Sequence, residues 1–307
     1  ILEDGRVTIV WQSDTGAAEA NMVAFHRTFE RDGTPVTAED QRLVTTHDGS
    51  TVTSNVMFPS VIALSDGGFA ITAIRGHPLT TTFQAFVQAF SDPTTPSGET
   101  IDAFVRADDT QTTPSLGATP SGELYLVWTS QPGEVEMAVG RVLDDSGSEP
   151  ELLVGDVNSA NQTVLAIDRG DPSRRYVALH ATDSGQDEVL LLDTGVSQES
   201  RTILRLGETG RIDHTPSIAA RAGGGAVAWF RVISGFRNEV YVAGFSAGET
   251  TRELTVGTTI QAPTSDPAAP YQVALTHVVD DIYFVAWSEG SNPDFTIVGT
   301  MIDVAAD

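Results

Sequence analysis

"TPSIAARAGGGAVAWF", from Thr215 to Phe230, decides the fold, because the chain writes it more than once. Thr-Pro-Ser leads into a short apolar alternation, a glycine turn follows, and a second apolar run carries Trp229. The same order recurs in "TPSLGATPSGELYLVW" (Thr113 to Trp128) and in "FPSVIALSDGGFAITA" (Phe58 to Ala73), with Ala73 where Trp would stand. "APYQVALTHVVDDIYFVAW" (Ala269 to Trp287) has a longer first half, and "ILEDGRVTIVW" (Ile1 to Trp11) is the second half alone. "TVLAIDRGDPSRRYVALH" (Thr163 to His180) is a degenerate copy that puts His180 in the Trp position. The register positions Trp11, Ala73, Trp128, His180, Trp229 and Trp287 lie roughly 50–60 residues apart, the spacing of a repeat architecture. All 4 tryptophans of the chain fall on this register.

Each unit continues alike. A polar loop precedes a third apolar run, such as "NMVAFHRTF", "EMAVGRVL" or "EVYVAGF". An Asp/Gly/Pro/Ser turn then precedes a fourth, such as "PELLVGD" or "RTILRLG". These runs alternate apolar with polar residues and are rich in Val, Ile, Thr and aromatics, which is the strand signature. No segment combines a helix cap with a 3.6-residue period. One four-stranded sheet cannot bury both its faces, whereas a ring of them stacks into a continuous core. The pattern therefore predicts one all-β domain, a six-bladed β-propeller of four-stranded antiparallel blades. The blades run roughly 1–55, 56–111, 112–161, 162–213, 214–267 and 268–307. The tryptophans Trp11, Trp128, Trp229 and Trp287 are expected to end second strands and pack on the neighbouring blade. Each Pro is expected to open a first strand, where its missing N–H is harmless. The first and last units are incomplete, so this reading expects a portion of a longer chain.

Composition narrows the function classes. The formal net charge is -25, and all 17 basic residues are Arg. A field of that sign repels phosphate backbones, so no nucleic-acid partner is expected. No apolar run reaches the length of a membrane span, and none is expected. Cysteine is absent, which removes disulfides, zinc–thiolate sites and thiol catalysis.

The units resemble the propeller-type repeats, "P-x-V-x-x-L-x-D-G-G-F-V-V-x-W", of large secreted and cell-surface bacterial proteins. "FPSVIALSDGGFAITA", "TPSLGATPSGELYLVW" and "ILEDGRVTIVW" carry the resemblance. It implies an extracellular or cell-surface module. Those proteins often carry calcium-binding nonapeptide repeats, which this sequence lacks. Sialidases are also six-bladed, but their Ser-x-Asp-x-Gly-x-Thr-Trp turn is not matched by "ERDGTPVT" or "DDSGSEPE".

Propellers bind ligands where the loops between blades and between second and third strands converge. His47, His77, His180 and His214 fall on or beside such loops. A histidine that abstracts a proton beside an arginine that neutralises a uronate would suit a polysaccharide lyase. The groupings are His77 with Arg75, and His214 with Arg211, Arg231 and Arg237. Carboxylates Asp108, Asp109, Asp187, Glu188, Asp213, Glu289 and Asp294 lie on the same face. A close pair would suit a glycoside hydrolase, and oxygen-rich loops such as Asp108–Asp109 would suit a structural calcium. No other cofactor is expected. Phe83, Phe236 and Phe295 are the loop aromatics for ligand stacking, with Asp213 and Glu289 as polar partners.

The even spread of polar residues over the units favours a non-catalytic binding or scaffold module that engages glycan or protein. A glycan-active enzyme, lyase or hydrolase, with a His/Arg/carboxylate centre on that face is the alternative. A structural subunit of a larger assembly is another.

Overall fold

The structure is a computed structural model that describes residues 1–2, 4–14, 22–47, 50–52, 55–76, 82–103, 109–132, 136–143, 149–154, 157–183, 185–195, 201–207, 211–234, 237–246, 249–250, 253–260, 273–291 and 294–305. These residues form strands and no helix. They divide into two compact units, Ile1–Val154 and Gly155–Asp307.

The first unit opens with β1 (Val7–Asp14), β2 (Met22–Phe29) and β3 (Gln41–Arg42), a three-stranded sheet in sequence order. A hairpin follows, β4 (Thr45–His47) and β5 (Ser50–Val52). Two four-stranded antiparallel sheets complete it. One is β6 (Val56–Ala63), β7 (Phe69–Gly76), β8 (Phe83–Asp92) and β9 (Thr95–Asp102). The other is β10 (Asp109–Ala118), β11 (Leu124–Pro132), β12 (Met137–Val142) and β13 (Glu151–Leu152).

The second unit repeats the plan. It holds β14 (Ser159–Ile167), β15 (Arg175–Asp183), β16 (Gln186–Asp193) and β17 (Ile203–Leu206). Next come β18 (Ile212–Arg221), β19 (Gly224–Ser234), β20 (Arg237–Ser246), β21 (Glu249–Thr250) and β22 (Leu254–Ile260). A single parallel bridge, Asp187 to Ile212, joins these two groups. A three-stranded sheet, β23 (Val273–Val279), β24 (Ile282–Ser291) and β25 (Asp294–Asp303), ends the unit.

The repeat has a physical basis in one recurring device. In β6, β10, β14 and β18 the register slips so that two residues oppose one on the next strand. This is a β-bulge. Its first residue stands at positive φ in every case: Phe58 (52°), Thr113 (45°), Gln162 (51°) and Thr215 (54°). The second is Pro59, Pro114, Thr163 or Pro216. The proline thus does not open the strand, as its sequence position implied. It sits inside it, at the bulge, where a missing N–H breaks no ladder bond.

The single residue opposing each bulge is Ala73, Trp128, Leu179 or Trp229. The sequence register therefore holds at three positions and is corrected at the fourth. Leu179, not His180, takes the packing position, because the degenerate copy is one residue out of phase. Both tryptophans pack back onto the preceding strand group of their own unit. Trp128 sits among Ala70, Ile74, Ala85 and Val87 of β7 and β8. Trp229 sits among Tyr176, Ala178, Val189 and Leu191 of β15 and β16. Trp287 joins Val240 and Val242 in a third such cluster. A Cβ at Gly257 would collide with the Trp287 ring, so glycine there makes room for the indole.

Polar side chains tie neighbouring sheets together. Each bulge N–H lies outside the ladder and needs an acceptor. Gln12 Oε1 accepts from Phe58 N at 2.7 Å, and Gln162 Oε1 accepts from Thr215 N at 2.9 Å. Ser217 Oγ likewise accepts from Leu275 N at 3.1 Å. At the opposite end, fully buried Asp168 accepts from Gly170 N, Asp171 N, Tyr176 Oη and Gly223 N. Burial alone would raise its carboxyl pKa, but these hydrogen bonds hold it below the usual range.

Truncating a tryptophan that plugs a seam removes contacts on two sheets at once. Trp229→Ala is expected to cost about 3–5 kcal/mol, read from the urea midpoint of unfolding. A loss below about 1 kcal/mol would show that the indole is not buried as described.

Candidate functional site

Sheet alternation places neighbouring residues on opposite faces. In β18 this separates Asp213 from His214. Asp213 is 1% exposed, pairs across to Arg231 and turns toward the same side as Trp229. His214 pairs across to Phe230, with ring centroids 6.0 Å apart.

His214 is half-buried at the start of the bulge. Its Nδ1 lies 2.7 Å from Thr215 Oγ1. Its pKa is lowered from 6.5 to about 4, first by burial, then by the charge of His180, against an opposing pull from Asp187. His180 lies on β15 and reaches Asp187 of β16, Nε2 to Oδ1, at 3.2 Å. Thr182 Oγ1 donates to the same oxygen at 2.7 Å. An ionised carboxylate only accepts, so Nε2 of His180 carries the proton in this pair. The tight β15–β16 hairpin places Thr182 opposite Asp187, and the Asp187–Ile212 bridge brings β18 alongside. Two histidines thus share one corner of the second unit in different settings. One is half-buried without a carboxylate bonded to it among the described residues, and the other is bonded to one. Such divergence is how a site separates a proton acceptor from a proton donor.

The sequence missed Thr182, Thr215 and Gln162, and gave His180 a packing role. A bulge shifts strand phase by one residue, and the string of letters carries no mark of that shift. The local signal available was the positive-φ position itself, which a Thr-Pro step does not advertise.

Arg231, grouped with His214 from sequence, faces the other way. Its Nε donates to Asp213 Oδ1 at 2.7 Å and its Nη2 to Glu253 Oε2 at 3.0 Å. Its guanidinium lies 4.0 Å from the Tyr241 ring centroid. Trp229 Nε1 also donates to Asp213, and Gly207 N to Glu253. Burial raises the Asp213 pKa, which the Arg231 hydrogen bonds oppose. Burial would lower the Arg231 pKa, but its bonds to Asp213 and Glu253 raise it. Both groups are used up in holding the sheet together, and neither is offered to a ligand. Arg75 occupies the equivalent strand position in β7. It is 1% exposed, pairs with Asp102 and lies over the Phe86 ring.

The remaining named residues scatter. Asp109 is buried and bonded by Ser130, Gln131 N and Gln111, so it is a satisfied structural carboxylate. Phe83 is half-buried against the Trp128 cluster and does not line a loop. Arg205 links Asp183 to Glu188 beside the histidine corner. Arg211 is exposed, one residue before Ile212. Trp11 stacks on Phe25 at 5.9 Å. His26 is buried between Phe69 and Phe90, its pKa lowered to about 4 by burial. His277 bonds the carbonyl of Asp280. His77, Asp108 and Phe236 lie outside the described residues. His47, Arg237, Glu289, Asp294 and Phe295 lie on strands, and their side chains are outside the description. Among the described residues, no group of three or more His, Asp or Glu could hold a metal ion. No helix there is long and apolar enough to cross a membrane.

By sequence the chain matches no protein family and no curated protein. Solved structures do resemble it. One is a family PL25 polysaccharide lyase, an ulvan lyase bound to a GlcA–Rha3S oligosaccharide. It has a TM-score of 0.61 and 10% identity, over 99% of this chain and 78% of that one. Another is the GH93 α-L-arabinofuranosidase of Fusarium graminearum with arabinobiose, TM-score 0.61 and 12% identity, over 99% and 91%. A third is a Dyadobacter fermentans protein of unknown function, TM-score 0.60 and 12% identity, over 98% and 92%. At such identity the likeness is one of fold, all-β and propeller-like. It also corrects the expectation of a non-catalytic binding or scaffold module. The ulvan lyase and the arabinofuranosidase act on glycans, which favours the enzymatic alternative.

Two measurements check this site. Arg231→Met leaves Asp213 buried without its cation, an expected loss of about 3–5 kcal/mol, whereas Arg231→Met with Asp213→Leu recovers most of it. Equal losses in both variants would refute a buried pair. His214 and His26 each bind fewer protons folded than unfolded between about pH 4 and pH 6.5. Stability should therefore fall as pH drops through that window, and His26→Leu should flatten the slope. An unchanged slope in His26→Leu would contradict the burial of that ring.

Proposed function

We propose that this chain is a glycan-active enzyme on a six-bladed propeller of four-stranded blades, cleaving by proton transfer at the His214–His180–Asp187 corner. The observation that carries the reading is the pairing of unlike histidines. His214 is kept neutral by burial, and His180 is held by a carboxylate. The fold likeness to a polysaccharide lyase and an arabinofuranosidase supports a glycan substrate.

The same corner favours elimination over hydrolysis. A hydrolase needs two carboxyl groups flanking the scissile bond. Asp187 is engaged by His180 and Thr182, and nearby Asp183 and Glu188 are bridged by Arg205. In elimination, Nε2 of His214 takes the proton from C5 of a uronate. The C5–H electron pair becomes the C4–C5 double bond, and the C4–O bond breaks. The leaving oxygen takes the Nδ1 proton of His180 in its doubly protonated form, which leaves the ring neutral with its Nε2–H still on Asp187. Exposed Arg211 is the cation assigned to the uronate carboxylate.

The test is turnover of uronate-containing polysaccharides, followed by the ultraviolet absorbance of the unsaturated product. His214→Ala should lower kcat by about 10²–10⁴-fold. A polyanion approaches against a net charge of -25, so added salt should lower KM. New reducing ends without the absorbance would replace elimination by hydrolysis. No turnover on any glycan would sink the enzymatic reading.

A further inference from the structure

β6, β10, β14 and β18 carry the same bulge, but only one bulge hydroxyl serves a histidine in a bond the structure records. At Phe58 the side chain is apolar. At Thr113 the hydroxyl meets Thr129 Oγ1 at 3.0 Å. At Gln162 the side chain reaches β18 and accepts from Thr215 N. At Thr215 the hydroxyl stands 2.7 Å from Nδ1 of His214.

We infer that Thr215, locked by Gln162, is a positioning residue that fixes the tautomer of His214. This rests on the reading of His214 as the proton acceptor. Nδ1–H donates to Thr215 Oγ1, and Nε2 keeps its lone pair for the substrate. Among the described residues Nε2 makes no hydrogen bond. An imidazole can present only one lone pair, and the bond made by the other nitrogen decides which. Free to rotate, the ring would divide its time between two tautomers and two orientations.

Backbone geometry holds the hydroxyl in place. Thr215 has φ 54°, a region that costs a β-branched residue and persists only where neighbours over-determine it. Two constraints do so here. Pro216 fixes the chain that follows, and Gln162 Oε1 captures the Thr215 N–H, which has no place in the ladder. Gln162 is itself a bulge residue, φ 51°, so one strained turn braces the next across the seam. The acceptor histidine is thereby aimed, through Thr215, by a side chain of β14.

Two readouts test this independently of each other. Nitrogen NMR of labelled protein reports the tautomer of His214 directly, whether or not a substrate is known. The expected state is protonated Nδ1 and bare Nε2 at neutral pH. Thr215→Val should mix the tautomers and lower kcat by about tenfold or more with KM little changed, while Thr215→Ser restores both. Gln162→Leu should move the His214 signals in the same direction. Protonated Nε2 in the unaltered protein overturns the inference even if His214→Ala abolishes turnover. A bare Nε2 with full turnover in His214→Ala would instead overturn the proton-acceptor reading and leave the tautomer assignment standing. Unchanged tautomer and kcat in folded Thr215→Val also refute it, and the measurement on the unaltered protein needs no variant to fold.

Discussion

Two residues against one, at the same place in β6, β10, β14 and β18, is the constraint on which the rest of this structure depends. Antiparallel pairing must absorb the extra residue in its backbone, and here the first bulge residue does so at positive φ in all four strands. That conformation costs about 1–3 kcal/mol at each non-glycine position. What offsets it is the room made on the facing strand. One side chain stands alone opposite the bulge, and at two of the four positions it is a fully buried tryptophan. Burying a large aromatic on the neighbouring sheet returns a free energy of the same order. At two of the four bulges, Phe58 and Thr215, the displaced N–H is met by a glutamine from an earlier strand, Gln12 of β1 and Gln162 of β14, so those bulges also tie distant parts of the chain together.

Charge is handled by pairing rather than by exclusion. The chain is strongly acidic, yet several carboxylates are deep inside. Asp213 is matched by Arg231, and Asp168 is surrounded by N–H and O–H donors. Both solutions answer the same penalty, the loss of hydration on burial. At Asp168 backbone amides and the Tyr176 hydroxyl together hold the carboxyl pKa below its usual range, and its bonds reach from one hairpin to Gly223 of the next. The buried arginines follow from this. At equivalent strand positions Arg75 and Arg231 serve the frame, and arginine's planar fork suits two acceptors at once.

The histidine corner uses the frame without belonging to it. Asp213 and His214 are adjacent in sequence and opposite in role, because alternation sends one inward to the ion pair and the other outward to the site. A local rule separates structure from chemistry at a single peptide bond. The likeness to glycan-active enzymes concerns the scaffold, and propeller-type scaffolds serve many chemistries. The case for this corner rests on its own geometry.

Sequence by itself determined the all-β class and the apolar runs that become strands. Those follow from period-two alternation and from turn glycines such as Gly67 and Gly223 at φ 85° and 76°, all of which act over a few residues. Composition likewise settled the acidic surface. The tertiary structure decided the phase of each strand and therefore the company each side chain keeps. It moved the packing position from His180 to Leu179, buried Arg231 and Asp213 together, and brought His180 and Asp187 beside His214. The physical reason is that a bulge is a property of paired strands. Its slip of one residue sends a side chain to the opposite face, and only the partner strand, distant in sequence, records that the slip has happened.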